Sequence, residues 1–257
     1  MISVMNALRR AARLLRGLLF IRSCIGCGTA IGWDEATPLC RDCFAQYMEA
    51  RNCTCPSCGA VLARCRCSVI GDGVPLYSLL PYRPAESGRP DTVSGILLSR
   101  KRRLHPDTEA FLAAQMAALC ECVIAERAKG GTREDWCLTY PPRSRKKQRE
   151  VGHDQSCEMA SRVSALTGIV LCPCLERVHG ADIAQKTLGA AERVENAQES
   201  YRLAKKYETA IRGKRMILID DIATTGATLA ACASLLMASG AAETVALTAA
   251  KTVHGKR

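Results

Sequence analysis

The sequence predicts an α/β protein: a mostly parallel sheet flanked by helices, preceded by a small cysteine-rich domain. Three observations carry this. Short apolar runs bounded by turn residues alternate with helical stretches between residues 74 and 250, the pattern of strand–helix units in a parallel sheet. One run, Met216-Ile217-Leu218-Ile219, is too short for a helix and suits a strand buried on both faces. The polar stretch Asp220 to Thr228 follows it, and then an apolar helical run from Leu229 to Met237, giving strand, loop and helix in succession. Third, nine of the sixteen cysteines lie between Cys24 and Cys67, mostly in short pairs.

Those pairs suit a metal better than disulfides. Cys24-x2-Cys27 and Cys40-x2-Cys43 are separated by twelve residues. Two such turns present four thiolates at the spacing of tetrahedral Zn²⁺, and Gly26 and Gly28 permit the tight turn. A second set, Cys55, Cys58, Cys65 and Cys67, offers another knuckle, with Cys53 spare or substituting; Cys65-x-Cys67 is one residue shorter than the usual pair. Four thiolates leave no open position, so one or two zinc ions here stabilise folding and do no chemistry. The other seven cysteines are scattered through apolar stretches, which indicates a reducing, cytoplasmic setting.

The chain of 257 residues is long enough for a full core. Its formal charge of +11 predicts anionic partners: phosphorylated ligands, nucleic acid or acidic lipid. Residues 1–22 read as a basic amphipathic helix, docked on the protein's own domain or acting as a presequence or interfacial segment; Val4, Ala7, Leu8, Ala11 and Leu15 share one face, and Arg9, Arg10, Arg13 and Arg16 interrupt any continuous apolar run. No stretch is expected to reach the ~18 apolar residues of a membrane span. Residues 23–70 then form the ribbon domain, single or double, and residues 71–257 the α/β domain, with Gly71-Asp72-Gly73 as the boundary.

Within that domain Val74 to Tyr82 reads as the first strand. Val93 to Leu98 reads as a second, leading into the basic run Arg100, Lys101, Arg102, Arg103. A helix follows from Asp107 to Glu126; Cys120 and Cys122, two apart, face different directions on it. Asp135 to Tyr140 is a strand closed by Pro141-Pro142, followed by a second basic run that includes Arg143, Arg145, Lys146 and Arg149. A helix from about Ser156 to Thr167, a short strand from Ile169 to Cys172 and a last strand from Val245 to Ala250 complete the pattern, with a basic tail from Lys251.

The loop after Ile219 carries the chemistry. In open parallel sheets ligands sit at the carboxyl ends of strands. A helix start offers backbone N–H groups and a favourable dipole to a phosphate. Gly226 permits close backbone approach, and Thr224, Thr225 and Thr228 add hydroxyl donors. Ionised Asp220 and Asp221 accept hydrogen bonds only, which suits the vicinal hydroxyls of a ribose, or a cation. A 5-phosphorylated ribose satisfies both halves. The chain lacks the lysine of a P-loop and any G-x-G-x-x-G.

The string Ile219-Asp220-Asp221-Ile222-Ala223-Thr224-Thr225-Gly226-Ala227-Thr228 resembles the phosphoribosyl pyrophosphate motif of the type I phosphoribosyltransferases. That resemblance implies that the two acids hold the ribose hydroxyls, that Ala223 to Thr228 hold the 5-phosphate, and that Mg²⁺ accompanies the ligand. The order of features is similar to the ComF family over nearly the whole chain. It runs from the ribbon cysteines through Ser99 to Arg103, Tyr140 to Pro142, Arg149 to Gln155, Gln185 to Asn196 and Ile219 to Thr228. Val151, His153 and Asp154 stand where that family carries Arg, an aromatic residue and Asn. The family implies a type I phosphoribosyltransferase-like fold and a link to the DNA-uptake machinery of natural competence.

Three readings of function follow. The first is transfer of phosphoribose to an acceptor that the sequence does not identify, with no general base evident. Hypoxanthine-type transferases carry an acid where this chain has Thr224, which argues against purine salvage. The second is a module that binds single-stranded DNA through its basic runs, with Trp33, Phe44 and Tyr47 as stacking candidates. The third is a non-catalytic sensor of phosphoribosyl pyrophosphate. Arg100, Lys101, Arg143, Arg145, Lys146 and Arg149 are candidates for pyrophosphate or for nucleic acid, and the sequence does not separate the two.

Overall fold

The computed structural model describes residues 22–83, 91–102, 107–127, 131–143, 152–178 and 200–253. The predicted N-terminal helix, Arg145, Lys146, Arg149 and the Gln185–Asn196 segment lie outside the described residues. Two compact units are drawn from Met1–Ala50 with Ala85–Phe111, and from Arg51–Pro84 with Leu112–Arg257. The two predicted cysteine sets therefore belong to different units.

In the first unit, β1 (Arg22–Ser23) and β2 (Ala30–Ile31) form an antiparallel hairpin whose turn carries Cys24 and Cys27. Helix α1 (Arg41–Arg51) starts directly after Cys40 and buries Cys43 and Tyr47. Tyr47, a predicted stacking residue, is committed to the interior, its ring edge-on to Phe111 at 5.2 Å. Helix α2 (Thr92–Arg102) corrects the predicted strand at Val93–Leu98. The reason lies at its start: Asp91 accepts from Ser94 N through its side chain (2.7 Å) and from Gly95 N through its carbonyl (2.8 Å), the bonds of a helix N-cap. Gly95 allows that helix to pass against the Gly26 carbonyl, where any Cβ would collide.

In the second unit a six-stranded sheet has the order β3-β4-β10-β9-β5-β6. These are β3 (Val69–Ile70), β4 (Val74–Tyr82), β5 (Trp136–Thr139), β6 (Val170–Leu171), β9 (Arg215–Ala223) and β10 (Glu243–Thr252). Only β3 and β4 pair antiparallel, as a hairpin turning at Gly71-Asp72-Gly73; every other pair is parallel. The predicted mostly parallel sheet flanked by helices is the observed architecture. A two-stranded ribbon, β7 (Leu175–Arg177) with β8 (Tyr201–Leu203), was not predicted; three-residue strands leave too little pattern to detect.

Strand β9 is central, and Met216 to Ile219 have no exposed surface, as an all-apolar strand between β10 and β5 requires. Helices α3 (Asp107–Arg127), α4 (Gln155–Thr167) and α5 (Ala227–Ala238) supply Leu112, Met116, Met159, Val163, Leu229 and Leu236 to the core. Cys120 is buried and Cys122 exposed on α3, as their spacing predicts. By length and hydropathy alone α3 passes the test for a membrane span, which a core helix also passes; half of its apolar window is buried inside the protein.

Below the amino ends of the strands an ionic network ties elements together. Arg127 pairs with Glu243 and donates to Tyr77 Oη at 3.1 Å, while Arg215 lies over the Trp136 ring and 3.4 Å from Glu243.

Candidate ligand and metal sites

The acidic pair lies on β9 itself. The sequence places the carboxylates just past the strand; the ladder in fact continues, with Asp220 opposite Thr248 and Ile222 opposite Ala250 of β10. Asp220 and Asp221 are both half-buried there. Strand β5 ends at Thr139, opposite Leu218, so the chain leaving β5 turns off level with the acids.

Arg143 from that turn and Ser156 from α4 engage the pair. Arg143 donates from Nη2 to Asp221 Oδ2 (3.0 Å) and to Gln155 Oε1 (2.5 Å). Ser156 Oγ donates to Asp220 Oδ1 at 2.6 Å. Asp154 caps α4, accepting from Ser156 N and Cys157 N at 3.1 Å, and also accepts from Arg143 N at 3.0 Å. Aspartate is among the preferred N-cap residues, and its carboxylate oxygen makes both bonds. Burial, then the neighbouring Asp221 charge, raises Asp220 to about 8 against the opposing hydrogen bond from Ser156.

The loop that follows has the form an anion site needs. Ala223 is buried at the end of β9, and Thr224 and Thr225 are exposed. Gly226 is the N-cap of α5 in the left-handed conformation (φ 76°), and Ala227 and Thr228 form its first turn. A Cβ at Gly226 would lie 2.6 Å from Ile70 Cγ2. Glycine is therefore required twice, by φ and by space. Gly226→Ala is expected to destabilise the sheet unit by about 1–3 kcal/mol, from the strained φ and the overpacking together. Denaturant unfolding would measure it, and a neutral result would show that loop and Ile70 yield freely.

Among the other predicted cations, Lys101 and Arg102 are exposed at the end of α2. Arg100 is used differently: its side chain is 1% exposed and Nε lies 2.8 Å from Glu109 Oε1, so it faces an internal carboxylate and not a ligand. Ser156 was missed in the sequence because a serine at a helix start reads as capping; its role became visible only when α4 met β9.

Each predicted cysteine set is assembled. Cys24, Cys27, Cys40 and Cys43 place their sulfurs within 4.8 Å of one another, as do Cys55, Cys58, Cys65 and Cys67. Sulfurs of Cys27 and Cys40 are 3.8 Å apart, those of Cys58 and Cys65 3.7 Å. A tetrahedral ion with metal–sulfur bonds of about 2.3 Å sets its ligand sulfurs about 3.8 Å apart. Gly26 N and Cys40 N both donate to Cys24 Sγ, at 3.4 and 3.3 Å, which suits a thiolate. Cys53 stays outside the second set and packs beside it. Both groups are thus placed to hold a structural metal ion. Cys172 and Cys174 are buried and belong to neither set.

No family model matches the chain. It is 28% identical over 205 residues to a protein of Salmonella typhimurium named DNA utilization protein YhgH, covering 79% of this chain and 86% of that one. The Escherichia coli K12 protein of the same name is 39% identical over 62 residues, 24% of this chain and 26% of that one. Among solved structures, an allosteric regulatory enzyme of purine biosynthesis superposes with a TM-score of 0.35 and 17% identity, over 65% of this chain and 29% of that one. A Staphylococcus aureus hypoxanthine phosphoribosyltransferase gives 0.32 and 16%, over 53% and 62%. The chain is thus similar along most of its length to a protein named for DNA utilization.

Proposed function

We propose that this chain is a ComF-like, type I phosphoribosyltransferase-like protein that binds phosphoribosyl pyrophosphate at the carboxyl end of β9 and serves DNA uptake. The observation that carries the ligand is the adjacency of Asp220 and Asp221 to a glycine-capped helix start in one continuous loop. The carboxylates take the ribose hydroxyls. The N–H groups and hydroxyls of Ala223 to Thr228 take the 5-phosphate, and Arg143 meets the diphosphate. Mg²⁺, which takes oxygen donors, would supply charge neutralisation for the diphosphate, with the Asp220 and Asp221 carboxylates as the oxygen donors at hand. Departure of pyrophosphate from C1 would leave positive charge on the ribose; the chain's part is to hold both ends still while that happens. The two cysteine groups hold zinc, and their paired spacing, with the other seven cysteines scattered through apolar stretches, fits a cytoplasmic protein.

Calorimetry of the full chain with phosphoribosyl pyrophosphate and Mg²⁺ tests the ligand. Heat that saturates at one ligand per chain supports the proposal, and no binding at millimolar ligand refutes it.

The similarity to DNA utilization proteins supports a second partner, single-stranded DNA, held by the basic runs around Lys101 and Arg143. Each phosphate contact on a single strand contributes about −0.7 to the log–log salt slope, so a few contacts from each run predict a slope of about −3 to −5. Neutralising either run should flatten the slope and weaken all sequences alike, because phosphate contacts carry no base information. A wild-type chain without DNA affinity at ~50 mM salt, where such contacts are strongest, removes this partner.

A further inference from the structure

The side chain that stands across the acid pair is a cation. Asp221 would serve a ribose hydroxyl, yet its Oδ2 is already taken by Arg143, and the same Nη2 is held by Gln155. Both members of the ion pair are about one-fifth exposed, 22% for Arg143 and 17% for Asp221, so water screens the pair only in part. Arg143 is also anchored at its backbone, where N donates to Asp154, the cap of α4. The backbone is thus anchored on Asp154 and the guanidinium on Gln155, two neighbours at the helix start.

The geometry points to Arg143 as a specificity residue that a ligand must exchange: in the resting site it is the counterion of Asp221, and it leaves that carboxylate only for a stronger anion. This inference rests on the proposal that the site takes phosphoribosyl pyrophosphate. A ribose 5-phosphate competes with Arg143 for Asp221, whose Oδ1 also accepts from Ile222 N, and offers the arginine nothing at C1 in return. A ligand with a diphosphate on C1 competes for the same carboxylate and gives the guanidinium a bidentate partner, which a planar fork prefers to a single carboxylate oxygen. The pair therefore selects for the diphosphate without any added contact to the ribose. Gln155 sets the strength of the selection, because it holds the guanidinium in the resting position.

The test is calorimetry of the full chain, in Mg²⁺, with two probes: phosphoribosyl pyrophosphate and ribose 5-phosphate. Arg143→Met removes the counterion. Ribose 5-phosphate is expected to bind about fivefold tighter, the loss of one half-screened ion pair, and phosphoribosyl pyrophosphate at least about tenfold weaker. Gln155→Ala keeps the charge and loosens its hold, so phosphoribosyl pyrophosphate is expected to bind a few-fold tighter. Arg143→Lys provides a second variant if the methionine form does not fold; a lysine keeps charge but not the fork, and should lower the preference for the diphosphate. Affinities for both probes that fall together in Arg143→Met, or a Gln155→Ala variant that weakens both, overturn the exchange while leaving the ligand assignment in place. Wild-type chain that binds neither probe overturns the ligand assignment and the exchange with it.

Discussion

Asp220→Asn combined with Asp221→Asn is expected to abolish measurable phosphoribosyl pyrophosphate binding and to leave the fold intact. Ionised Asp221 makes a charge-assisted hydrogen bond to a ribose hydroxyl and protonated Asp220 a neutral one, and losing both lowers affinity by about 30- to 10³-fold. The fold should survive because asparagine keeps an acceptor for Ser156 Oγ and for the backbone N–H groups of Asp221 and Ile222 that now bond the two carboxylates. Stability should in fact rise at alkaline pH. Asp220 keeps its proton to about pH 8 in the folded chain, whereas an unfolded aspartate loses it near pH 4. The folded state therefore binds more protons across that window, and stability falls as pH rises through it, the full cost being present above about pH 8. Asp220→Asn removes the cost. Its melting temperature should match wild type near pH 4 and exceed it at pH 8.5, by about 2–4 °C for each kcal/mol relieved in a chain of this size. Unchanged ligand affinity in the double variant would sink the ligand assignment; a lower melting temperature at pH 8.5 would show that Asp220 is ionised and well paired.

The same acids mark where the sequence was sufficient. Five of the six strands of the main sheet, all but the two-residue β3, were legible as short runs with an apolar centre, and helices separate β4 from β5, β5 from β6 and β9 from β10, the spacing of a parallel sheet. The strand–loop–helix order from Met216 to Met237 was readable because a short apolar run, a glycine and a second apolar run of helical length follow one another locally. What could not be read were relations between segments distant in the chain. Ser156 lies 64 residues before Asp220, and Arg143 lies 78 before Asp221, so neither contact leaves a local pattern. Val93 to Leu98 misled because a short apolar run does not reveal its own period; Asp91, three residues before Ser94, held the deciding signal. Arg100 misled for the opposite reason. A cation in a basic run is ordinarily solvated, and only the fold places Glu109 against it.

Metal analysis of the full chain is expected to give two zinc ions, and Cys55→Ser with Cys58→Ser to give one and also to weaken phosphoribosyl pyrophosphate binding. The first part follows from the two assembled cysteine groups. Zinc held by such a set contributes about 10–16 kcal/mol of apparent binding free energy in small peptides. That equals or exceeds the total stability of an ordinary domain, about 5–15 kcal/mol, so each ion fixes the local chain. The second part follows from what lies beyond Cys67. Ser68 accepts through its carbonyl from Leu76 N of β4 at 2.8 Å, and its hydroxyl takes Lys251 Nζ of β10 at 2.9 Å. Two residues on, Ile70 fills the space beside Gly226, which leaves no room for a Cβ there. The chain thus runs from the second cysteine group through β3 to the cap of α5 within a few residues. Losing the ion frees Cys65 and Cys67, loosens Ser68 and Ile70, and removes the wall that holds Gly226 at its left-handed φ. Affinity should fall by about fivefold to thirtyfold, equivalent to 1–2 kcal/mol of lost preorganisation. Ile70→Ala should reproduce part of that loss with both zinc ions retained, which separates the wall from the metal. Cys55→Ser with Cys58→Ser that loses one zinc yet binds the ligand as wild type would show that the second site serves its own loop alone.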